Sequence, residues 1–456
     1  MPYQTTNPYT GKIEKTFTDI SPAQLEEKLA QAQNCFKTDW STRSFSDRAV
    51  VLKRAAALMR ERSQSLAELI TLEMGKLIAQ SSGEVALSAA ILDYYADNAE
   101  RFLAPEKLTT PKGEAVVESS PIGVLFGVEP WNYPYYQIAR FAAPNLMAGN
   151  VVMVKQASSV PQCALAFEQL MLDAGSPNGA YTNLFASKEQ VAQVIGDTRI
   201  RAVALTGSEA AGAVVAAQAG KQLKKTTLEL GGSDAFIVLE DADMDKAVKH
   251  AVSGRMGNSG QACTASKRII VVEALANSFL DRFQSALGQF APGDPLDKAT
   301  TLAPLSSSQA LEDLLKQVSE AVSHGARIVM GGKRIEGFAG NFMQPTILTD
   351  IAPDNPAYKE EFFGPVALFF SVADEAAAIA LANDSPFGLG GSVFTRDTER
   401  GKRVARKIDT GMVFINSGAM SSPELPFGGV KNSGYGRELS GAGIQEFVNK
   451  KLIRTN

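Results

Sequence analysis

Short apolar runs alternate with helical patterns between residues 151 and 232, and this alternation limits the fold more than any other feature of the chain. The predicted strands are 151–154, 181–186, 200–208 and 226–232, and the predicted helices are 161–175, 188–196 and 209–220. Strands that alternate with helices at this spacing build a parallel sheet with helices on both faces. The sequence therefore predicts an α/β fold with a doubly wound sheet in this region.

A second alternating region from about residue 234 to 425 predicts another α/β domain. Its β-prone runs are DAFIVLE, KRIIVVE and ARIVMGG, and DEAAAIALAND predicts a helix. The first third of the chain is mainly helical, with a predicted capping box at Ser21 and Gln24 and one long helix from about Ser46 to Lys76. Turn residues between β-prone runs predict a hairpin within 106–122, and the last ten residues predict a terminal strand.

Composition and charge narrow the classes of function. The net charge of −4 argues against a nucleic-acid or membrane-surface protein. The N-terminus lacks a signal-peptide pattern, and three cysteines are too few for a disulfide scaffold, so a cytoplasmic location is expected. The only histidines, His250 and His324, fall at a helix end and in a turn, which argues against a histidine-dependent hydrolase and against a zinc site. No metal is expected.

Three residues are candidates for covalent chemistry. Cys263 lies in the glycine-rich stretch GNSGQACTAS, which could present its thiol to a cleft, or the side chain could be a small buried hydrophobic group. Glu229 ends a predicted strand, so it is either a general base at the ligand-binding edge of a sheet or a solvated charge. Asn132, in the rigid turn PWNYP, either donates to an oxyanion or packs within a loop.

The turn Thr206-Gly207-Ser208, which joins a strand to a helix, is a candidate phosphate site. Free N–H groups at a helix N-terminus attract anions, but the turn lacks the G-x-G-x-x-G pattern and could be an ordinary tight turn.

Taken together, these motifs resemble the aldehyde dehydrogenase superfamily from end to end. The motifs PWNYP, VK-x-A-S, LTGS, LELGG, GQAC, EEFFGPV and PFGGVKNSGYGRE occur in the order found there, with EMGK before them. The resemblance implies a cofactor-binding domain (1–105 and 123–230), a catalytic domain (231–425) and a β extension for oligomerisation (106–122 and 426–456). It also implies a homodimer or homotetramer.

The resemblance assigns roles to individual positions. It implies that Cys263 is the nucleophile, that Asn132 is the oxyanion donor and that Glu229 activates water to hydrolyse a thioester. An unperturbed thiol with a pKa near 8.5 is already a few per cent thiolate at neutral pH and needs no histidine. Implied cofactor contacts are Trp131, Lys155, Gly207, Ser208 and Leu230, with Glu361 and Phe363 holding the nicotinamide ribose.

The position three residues after Lys155 predicts the choice of coenzyme. Many NAD-preferring relatives carry Glu there, which grips the ribose hydroxyls, whereas this chain has Ser158. A serine leaves room for a 2′-phosphate and can hydrogen-bond it. We therefore expect NADP to be preferred and NAD to be used as well.

The substrate end resembles the succinate semialdehyde dehydrogenase branch. Arg140 lies eight positions after Asn132, where an arginine in that branch grips the substrate carboxylate, and Ser421 and Ser422 fall in the corresponding substrate loop. An ion-pair role within the fold is the alternative for Arg140. Two departures concern the nucleophile loop: Gly257 replaces a second arginine found in some members, with Arg255 nearby, and Ala265 replaces a second cysteine.

Other functions stay open at this stage. The substrate could be glutarate semialdehyde or a neutral aliphatic aldehyde. The thioester could pass to coenzyme A, which needs no water-activating base. A structural protein that has lost catalysis is the remaining alternative, and the presence of Asn132, Glu229, Cys263 and Glu361 argues against it.

Overall fold

The structure is a computed structural model that describes residues 3–455. The strands are β1 (Tyr3–Thr6), β2 (Ile13–Phe17), β3 (Glu106–Leu108), β4 (Glu114–Pro121), β5 (Val124–Glu129), β6 (Val151–Gln156), β7 (Tyr181–Asn183), β8 (Ile200–Thr206), β9 (Lys225–Glu229), β10 (Asp234–Val238), β11 (Ser266–Val272), β12 (Arg327–Met330), β13 (Thr346–Thr349), β14 (Val366–Val372), β15 (Phe387–Gly388), β16 (Gly391–Phe394), β17 (Phe414–Ile415), β18 (Val430–Lys431), β19 (Gly434–Tyr435) and β20 (Val448–Thr455).

The helices alternate with these strands in most of the chain. They are α1 (Pro22–Thr38), α2 (Phe45–Glu61), α3 (Ser63–Met74), α4 (Ile78–Phe102), α5 (Pro134–Met147), α6 (Pro161–Asp173), α7 (Lys188–Gly196), α8 (Glu209–Lys221), α9 (Met244–Met256), α10 (Glu273–Leu287), α11 (Ser308–Ser323), α12 (Glu375–Asn383), α13 (Thr398–Ala405) and α14 (Ser440–Ile444).

The first large sheet has the strand order β19-β9-β8-β5-β6-β7. Strands β9, β8, β5, β6 and β7 are parallel to their neighbours, and β19 pairs antiparallel with β9. The strand and helix alternation predicted for 151–232 is confirmed, and helix α7 matches its predicted bounds. Strand β7 is shorter than predicted. Because β19 joins this sheet, the segment 426–456 contributes to more than one sheet.

The second large sheet has the order β12-β13-β14-β11-β10-β16-β17 and confirms the second α/β unit. Its inner strand β10 is buried along its whole length. Ala235 and Ile237 pack in one hydrophobic cluster, whereas Phe236 and Val238 pack in another. Because successive side chains of a strand point to opposite faces, a continuously apolar run indicates a strand covered on both sides.

A three-stranded antiparallel sheet, β20-β4-β3, forms the predicted hairpin and terminal strand. Strand β20 pairs along its length with β4, and its own residues are largely exposed. Leu452 is 60% exposed and Ile453 40% exposed. An edge strand with exposed apolar residues can pair with another chain.

The helical N-terminal third differs from prediction at one place. Ser21 and Gln24 form the predicted capping box of α1. The single long helix predicted from about Ser46 to Lys76 is wrong, because Arg62 leaves helical geometry (φ −98°, ψ 16°) and separates α2 from α3. Helix-favouring residues continue through this point in the sequence, so propensity gave no signal for the break.

Candidate active site

A cavity of about 280 Å³ opens at the carboxyl ends of β5, β8 and β9. Its lining residues are Pro130, Trp131, Asn132, Gln137, Thr206, Gly207, Ser208, Leu230, Gly231, Cys263, Glu361 and Phe363. The carboxyl edge of a parallel sheet is where ligands bind in α/β proteins, because loops and helix N-termini converge there. Two of the predicted catalytic residues and six of the predicted cofactor contacts therefore share one cavity, which we call the catalytic pocket.

Cys263 comes from a loop with unusual backbone geometry. Asn258 and Ser259 have φ values of 53° and 51°, a region that costs non-glycine residues free energy. Buried Arg255 donates from Nη2 to the carbonyl oxygen of Gly260 at 2.6 Å. Arg255 thus holds the loop 257–263, which carries Cys263 and is called the nucleophile loop after its expected role. The Arg255 side chain does not line the catalytic pocket.

Lys267 also fixes this loop, and the sequence analysis missed it. Its buried Nζ donates to the carbonyl oxygens of Ala262 and Cys263 at 2.8 and 2.7 Å. The same ammonium lies 2.9 Å from Oε1 of Glu361, which also accepts from the backbone N–H of Gly232 at 3.1 Å. Lys267 therefore couples the nucleophile loop to the carboxylate that is expected to hold the ribose.

The protein environment disfavours the Cys263 thiolate. Burial raises the pKa of this thiol to about 12, although the positive charges of Lys267 and Arg140 act in the opposite direction. The sequence-based expectation of a few per cent thiolate at neutral pH therefore has to be corrected for the ligand-free pocket. The thiol must lose its proton as it attacks a bound electrophile.

Asn132 lies in the turn after β5 and is tied to the nucleophile loop. Its Nδ2 donates to the carbonyl oxygen of Gln261 at 3.1 Å, and its own carbonyl oxygen accepts from Nδ2 of Asn258 at 3.0 Å. An amide nitrogen carries two hydrogens, so one can hold the loop while the other faces an oxyanion.

The EMGK motif explains why the Asn132 turn is rigid. Glu84 accepts from the backbone N–H groups of Tyr135 and Tyr136 at 2.9 and 3.2 Å, and so caps the N-terminus of α5. Lys76, also fully buried, pairs with Glu84 and lies 3.6 Å from the centre of the Tyr133 ring. This ion pair places the start of α5 immediately behind the oxyanion turn.

Glu229 ends β9 but does not line the catalytic pocket. It is buried, and burial together with the nearby Glu438 carboxylate raises its pKa well above the usual range. Gly428 (φ +148°) makes room for it, because an added Cβ there would lie 2.7 Å from Oε1 of Glu229. The carboxyl group of Glu229 thus faces the protein interior.

The cofactor side of the pocket allows close approach of a ligand to the backbone. Ser208 caps α8 by accepting from the N–H of Ala211, so Gly207 and Ser208 stand at a helix N-terminus. Gly212 packs against Leu230, and a Cβ there would lie 2.6 Å from the leucine side chain. The rings of Trp131 and Phe363 meet edge to face at 5.8 Å. This shape fits a dinucleotide with its phosphates at α8.

Lys155 and Ser158 lie outside the catalytic pocket, at and just beyond the end of β6. The backbone of Ser158 accepts from the N–H of Gln4, and Nζ of Lys155 lies 5.6 Å from the centre of the Tyr3 ring. Burial and the positive charge of Lys188 lower the pKa of Lys155. Lys188 is therefore a second cation near this position, and the sequence analysis did not identify it.

The structure does not bring Arg140 into the catalytic pocket. Its side chain is 1% exposed and forms an ion pair with Glu438. Its guanidinium also donates to Tyr136 Oη and Thr206 Oγ1, each at 3.3 Å, and lies 4.3 Å from the centre of the Phe427 ring. Glu438 already occupies the guanidinium in this structure, and direct contact of Arg140 with a substrate carboxylate stays a prediction.

Ser421 and Ser422 line a neighbouring cavity of about 200 Å³. Ser421 Oγ lies 3.0 Å from Tyr136 Oη, so a chain of hydrogen bonds leads from Arg140 through Tyr136 to Ser421. Ser422 instead donates to Glu424, a carboxylate that would repel a negatively charged ligand. Tyr136 is a further candidate site residue that no sequence motif indicates, because only the fold places it beside Ser421.

Two further observations concern membrane-spanning helices and metal ligands. Within residues 3–455, no helix is both long enough and apolar enough to cross a membrane. Over the same range, no three His, Cys, Asp or Glu side chains are grouped as metal ligands would be.

The fold agrees with comparisons to known proteins. The family model described as "Aldehyde dehydrogenase family" matches residues 1–453, and the chain belongs to this family. A relative from Deinococcus radiodurans named succinate-semialdehyde dehydrogenase [NADP(+)] is 53% identical, and the match covers 99% of this chain and 94% of that protein. A Synechocystis protein named probable succinate-semialdehyde dehydrogenase [NADP(+)] is 46% identical and covers 99% of both chains.

Solved structures show the same architecture. A structure described as succinic semialdehyde dehydrogenase from Streptococcus pyogenes in complex with NADP+ superposes with a TM-score of 0.97. It is 48% identical in sequence and covers 99% of both chains. The predicted α/β class is therefore confirmed.

Proposed function

We propose that this protein oxidises succinate semialdehyde to succinate with NADP+ as the preferred coenzyme and NAD+ as a second one. The observation that carries the proposal is the catalytic pocket, which joins Cys263 and Asn132 to the cofactor-side residues Gly207, Glu361 and Phe363. The names of the relatives support the substrate and the coenzyme.

The residues of the pocket perform a two-stage reaction. The Cys263 thiol releases its proton to solvent as its sulfur bonds to the aldehyde carbon, and the resulting oxyanion is stabilised by the amide of Asn132 and the backbone N–H of Cys263. Glu361 and Phe363 would hold the nicotinamide end of the coenzyme, which would supply the hydride acceptor for this oxidation. Glu229 then turns toward the pocket and takes a proton from water, which adds to the thioester carbonyl and releases the acid.

The proposed preference for NADP+ rests on Ser158 and on the positive charges of Lys155 and Lys188. Ser158 carries no charge that would repel a 2′-phosphate, and Lys155 and Lys188 are close enough for one to lower the pKa of the other. Clustered ammonium groups attract a phosphate dianion.

We expect Ser158→Glu to reverse the preference toward NAD+. A carboxylate at this position would repel the 2′-phosphate and could accept hydrogen bonds from ribose hydroxyls. The ratio of kcat/KM for NADP+ to that for NAD+ should fall by about 100-fold, as a repulsion of roughly 3 kcal/mol implies. Ser159→Glu, one residue further along the same turn, is the matched control. A wild-type enzyme with the higher kcat/KM for NAD+ would reject the preference.

At the substrate end, we propose that Tyr136 and Ser421 meet the carboxylate, with Arg140 behind them as a source of positive charge. The hydrogen-bond chain from Arg140 through Tyr136 to Ser421 supports this arrangement. In this arrangement Arg140 acts on the carboxylate through Tyr136 and not by direct contact. Ser422 is then a loop residue beside the site. Glutarate semialdehyde and neutral aldehydes are the alternatives that a substrate series distinguishes.

The function is tested by kcat/KM for succinate semialdehyde, glutarate semialdehyde and butyraldehyde in wild type and in Tyr136→Phe. The wild type should favour succinate semialdehyde. Loss of the hydroxyl should raise KM for that substrate about 10- to 100-fold, because a hydrogen bond to a charged group contributes about 1.5–3 kcal/mol. Butyraldehyde, which has no carboxylate, should change little.

Tyr135→Phe is the matched control for this substitution. Tyr135 is the neighbouring residue on α5 and is fully buried, and within residues 3–455 its hydroxyl has no hydrogen-bond partner. Equal losses with the charged and the neutral aldehyde in Tyr136→Phe would show that Tyr136 has no part in carboxylate recognition.

We also propose a homodimer or homotetramer, a cytoplasmic location and the three-part division of the chain given above. The exposed apolar residues Leu452 and Ile453 on edge strand β20 support an oligomer contact through the three-stranded sheet.

A further inference from the structure

Lys267 holds its ammonium group against the nucleophile loop, outside the catalytic pocket. The residue is 0% exposed and is not among those that line the pocket. Its Nζ has one acceptor for each of its three hydrogens: the carbonyl oxygens of Ala262 and Cys263 at 2.8 and 2.7 Å, and Oε1 of Glu361 at 2.9 Å. A buried ammonium needs both a paired charge and bonded hydrogens, and here it has both.

One peptide unit contains both the carbonyl oxygen of Ala262 and the N–H of Cys263. A peptide unit is planar and trans, so its C=O and N–H bonds point in opposite directions. An ammonium bound to the Ala262 oxygen therefore directs the Cys263 N–H away from Lys267. Cys263 lines the catalytic pocket, and within residues 3–455 its N–H donates to no backbone carbonyl oxygen. This N–H is thus available to a ligand in the pocket.

Neighbouring backbone restricts this peptide unit further. The N–H of Ala265 also donates to the Ala262 oxygen, at 3.2 Å. An added Cβ on Gly232 would lie 2.6 Å from the carbonyl oxygen of Cys263, so the chain packs closely there. The N–H of the same glycine donates to Oε1 of Glu361 at 3.1 Å. The carbonyl groups on both sides of the Cys263 N–H are therefore held in one orientation.

The positive charge of Lys267 acts on this peptide unit and also on the thiol. A hydrogen bond from a charged donor is about twice as strong as a neutral one, and hydrogen bonds in a chain polarise one another. A peptide unit whose oxygen binds an ammonium is therefore a stronger donor through its N–H. The same charge opposes the effect of burial on the pKa of the Cys263 thiol. Only the first effect requires an oxyanion, so experiments can separate the two.

We propose that Lys267 is a positioning residue of the oxyanion site, whose ammonium directs the Cys263 N–H into the catalytic pocket and strengthens it as a donor. Its ion pair with Glu361 keeps the ammonium in place. The inference rests on the proposed role of the Cys263 N–H as an oxyanion donor beside Asn132. Lys267 acts through the peptide unit and touches neither aldehyde nor coenzyme.

The carbonyl band of the acyl-enzyme tests this proposal directly. p-Nitrophenyl acetate labelled with carbon-13 at its carbonyl carbon acylates Cys263 with release of nitrophenolate, and an isotope-edited infrared spectrum isolates the thioester band. The spectra are recorded with excess ester in the Glu229→Gln background, where the thioester should accumulate. Hydrogen bonds to a carbonyl oxygen lower its stretching frequency, so Lys267→Met should shift the band to higher frequency.

Two further variants accompany this measurement. Lys224→Met is the matched control, because Nζ of Lys224 also donates to two backbone carbonyl oxygens, those of Ile195 and Asp197, and the residue does not line the catalytic pocket. It should leave the band unchanged. Lys267→Gln keeps N–H donors without the charge and should give an intermediate frequency. It provides the same test if the methionine variant does not fold.

A kinetic comparison separates the oxyanion site from the thiol. Iodoacetamide alkylates Cys263 at a saturated carbon without forming an oxyanion, whereas acylation by p-nitrophenyl acetate forms one. Lys267→Met should slow alkylation through the thiol pKa, and it should slow acylation by about tenfold more. That factor is a part of the roughly 10²–10³ that complete loss of an oxyanion donor costs. Equal losses in the two reactions, or an unchanged thioester band, would overturn the proposal.

Asn132→Ala distinguishes failure of this inference from failure of the proposed function. Removal of the Asn132 amide should also shift the thioester band to higher frequency. If the band stays in place in Asn132→Ala, the proposed oxyanion site fails as well. If the band moves in Asn132→Ala but not in Lys267→Met, the failure concerns Lys267 alone.

Discussion

Cys263→Ser is expected to lower kcat for aldehyde oxidation by about 10⁴-fold or more, because the residues that line the pocket include no other thiol. A serine hydroxyl has a far higher pKa than a thiol, and the pocket offers it no histidine base. The measurement is formation of reduced coenzyme with succinate semialdehyde. Coenzyme affinity should stay within about twofold, because the substitution leaves the dinucleotide contacts in place.

Cys35→Ser is the matched control, because Cys35 is buried in α1 and far along the chain from the pocket. It should keep kcat while lowering stability modestly. Trp131 lines the catalytic pocket, so its fluorescence reports coenzyme binding in both variants. A Cys263→Ser enzyme with more than a tenth of wild-type kcat would refute the nucleophile assignment.

Glu229→Gln is expected to separate the two stages of the reaction. The first turnover should release about one equivalent of reduced coenzyme per active site, whereas the steady-state rate should fall by about 10²–10⁴, the usual contribution of a general base. Rapid mixing with absorbance detection measures both quantities. The thioester should accumulate, and mass spectrometry should detect it on the peptide that contains Cys263.

The control for this variant is Glu168→Gln, which alters a partly buried carboxylate that accepts from the N–H of Asn183 and pairs with Lys28. It should keep both the burst and the steady-state rate. Loss of the burst in Glu229→Gln would place this carboxyl group in the attack by Cys263 instead of in hydrolysis.

The fold was predictable from sequence where short-range physics decides the structure. The bounds of α7 follow from its capping box at Ser187, and the buried strand β10 follows from a continuous apolar run. The break at Arg62 was not predictable, because its residues favour a helix and the interruption depends on how α2 and α3 pack. The pairing of β19 with β9 was also missed, since a two-residue strand leaves no periodic pattern.

The candidate site also contains residues that the sequence predicted and residues that it did not. The order of motifs identified Cys263, Asn132 and Glu361, which the fold brings to one pocket. No motif indicated that Lys267 joins the Cys263 loop to Glu361. The sequence does not distinguish a lysine that will be buried from one that will be exposed. The role of Lys267 depends on the atoms that the fold places around it.

Arg140 shows most clearly that the sequence does not predict which long-range contacts a charged side chain makes. The family resemblance implied that it binds a substrate carboxylate, and the structure places a carboxylate on it, but that carboxylate is Glu438, nearly three hundred residues later in the chain.

The sequence by itself determined which candidate groups for the chemistry are present and, through the order of its motifs, the family that this chain resembles, because residue types and their spacing can be read without the fold. The tertiary structure decided which charged side chains form ion pairs. The pairing of Arg140 on α5 with Glu438 after β19 depends on how these distant segments pack, because ion pairs form only between groups that the whole fold brings within a few ångströms.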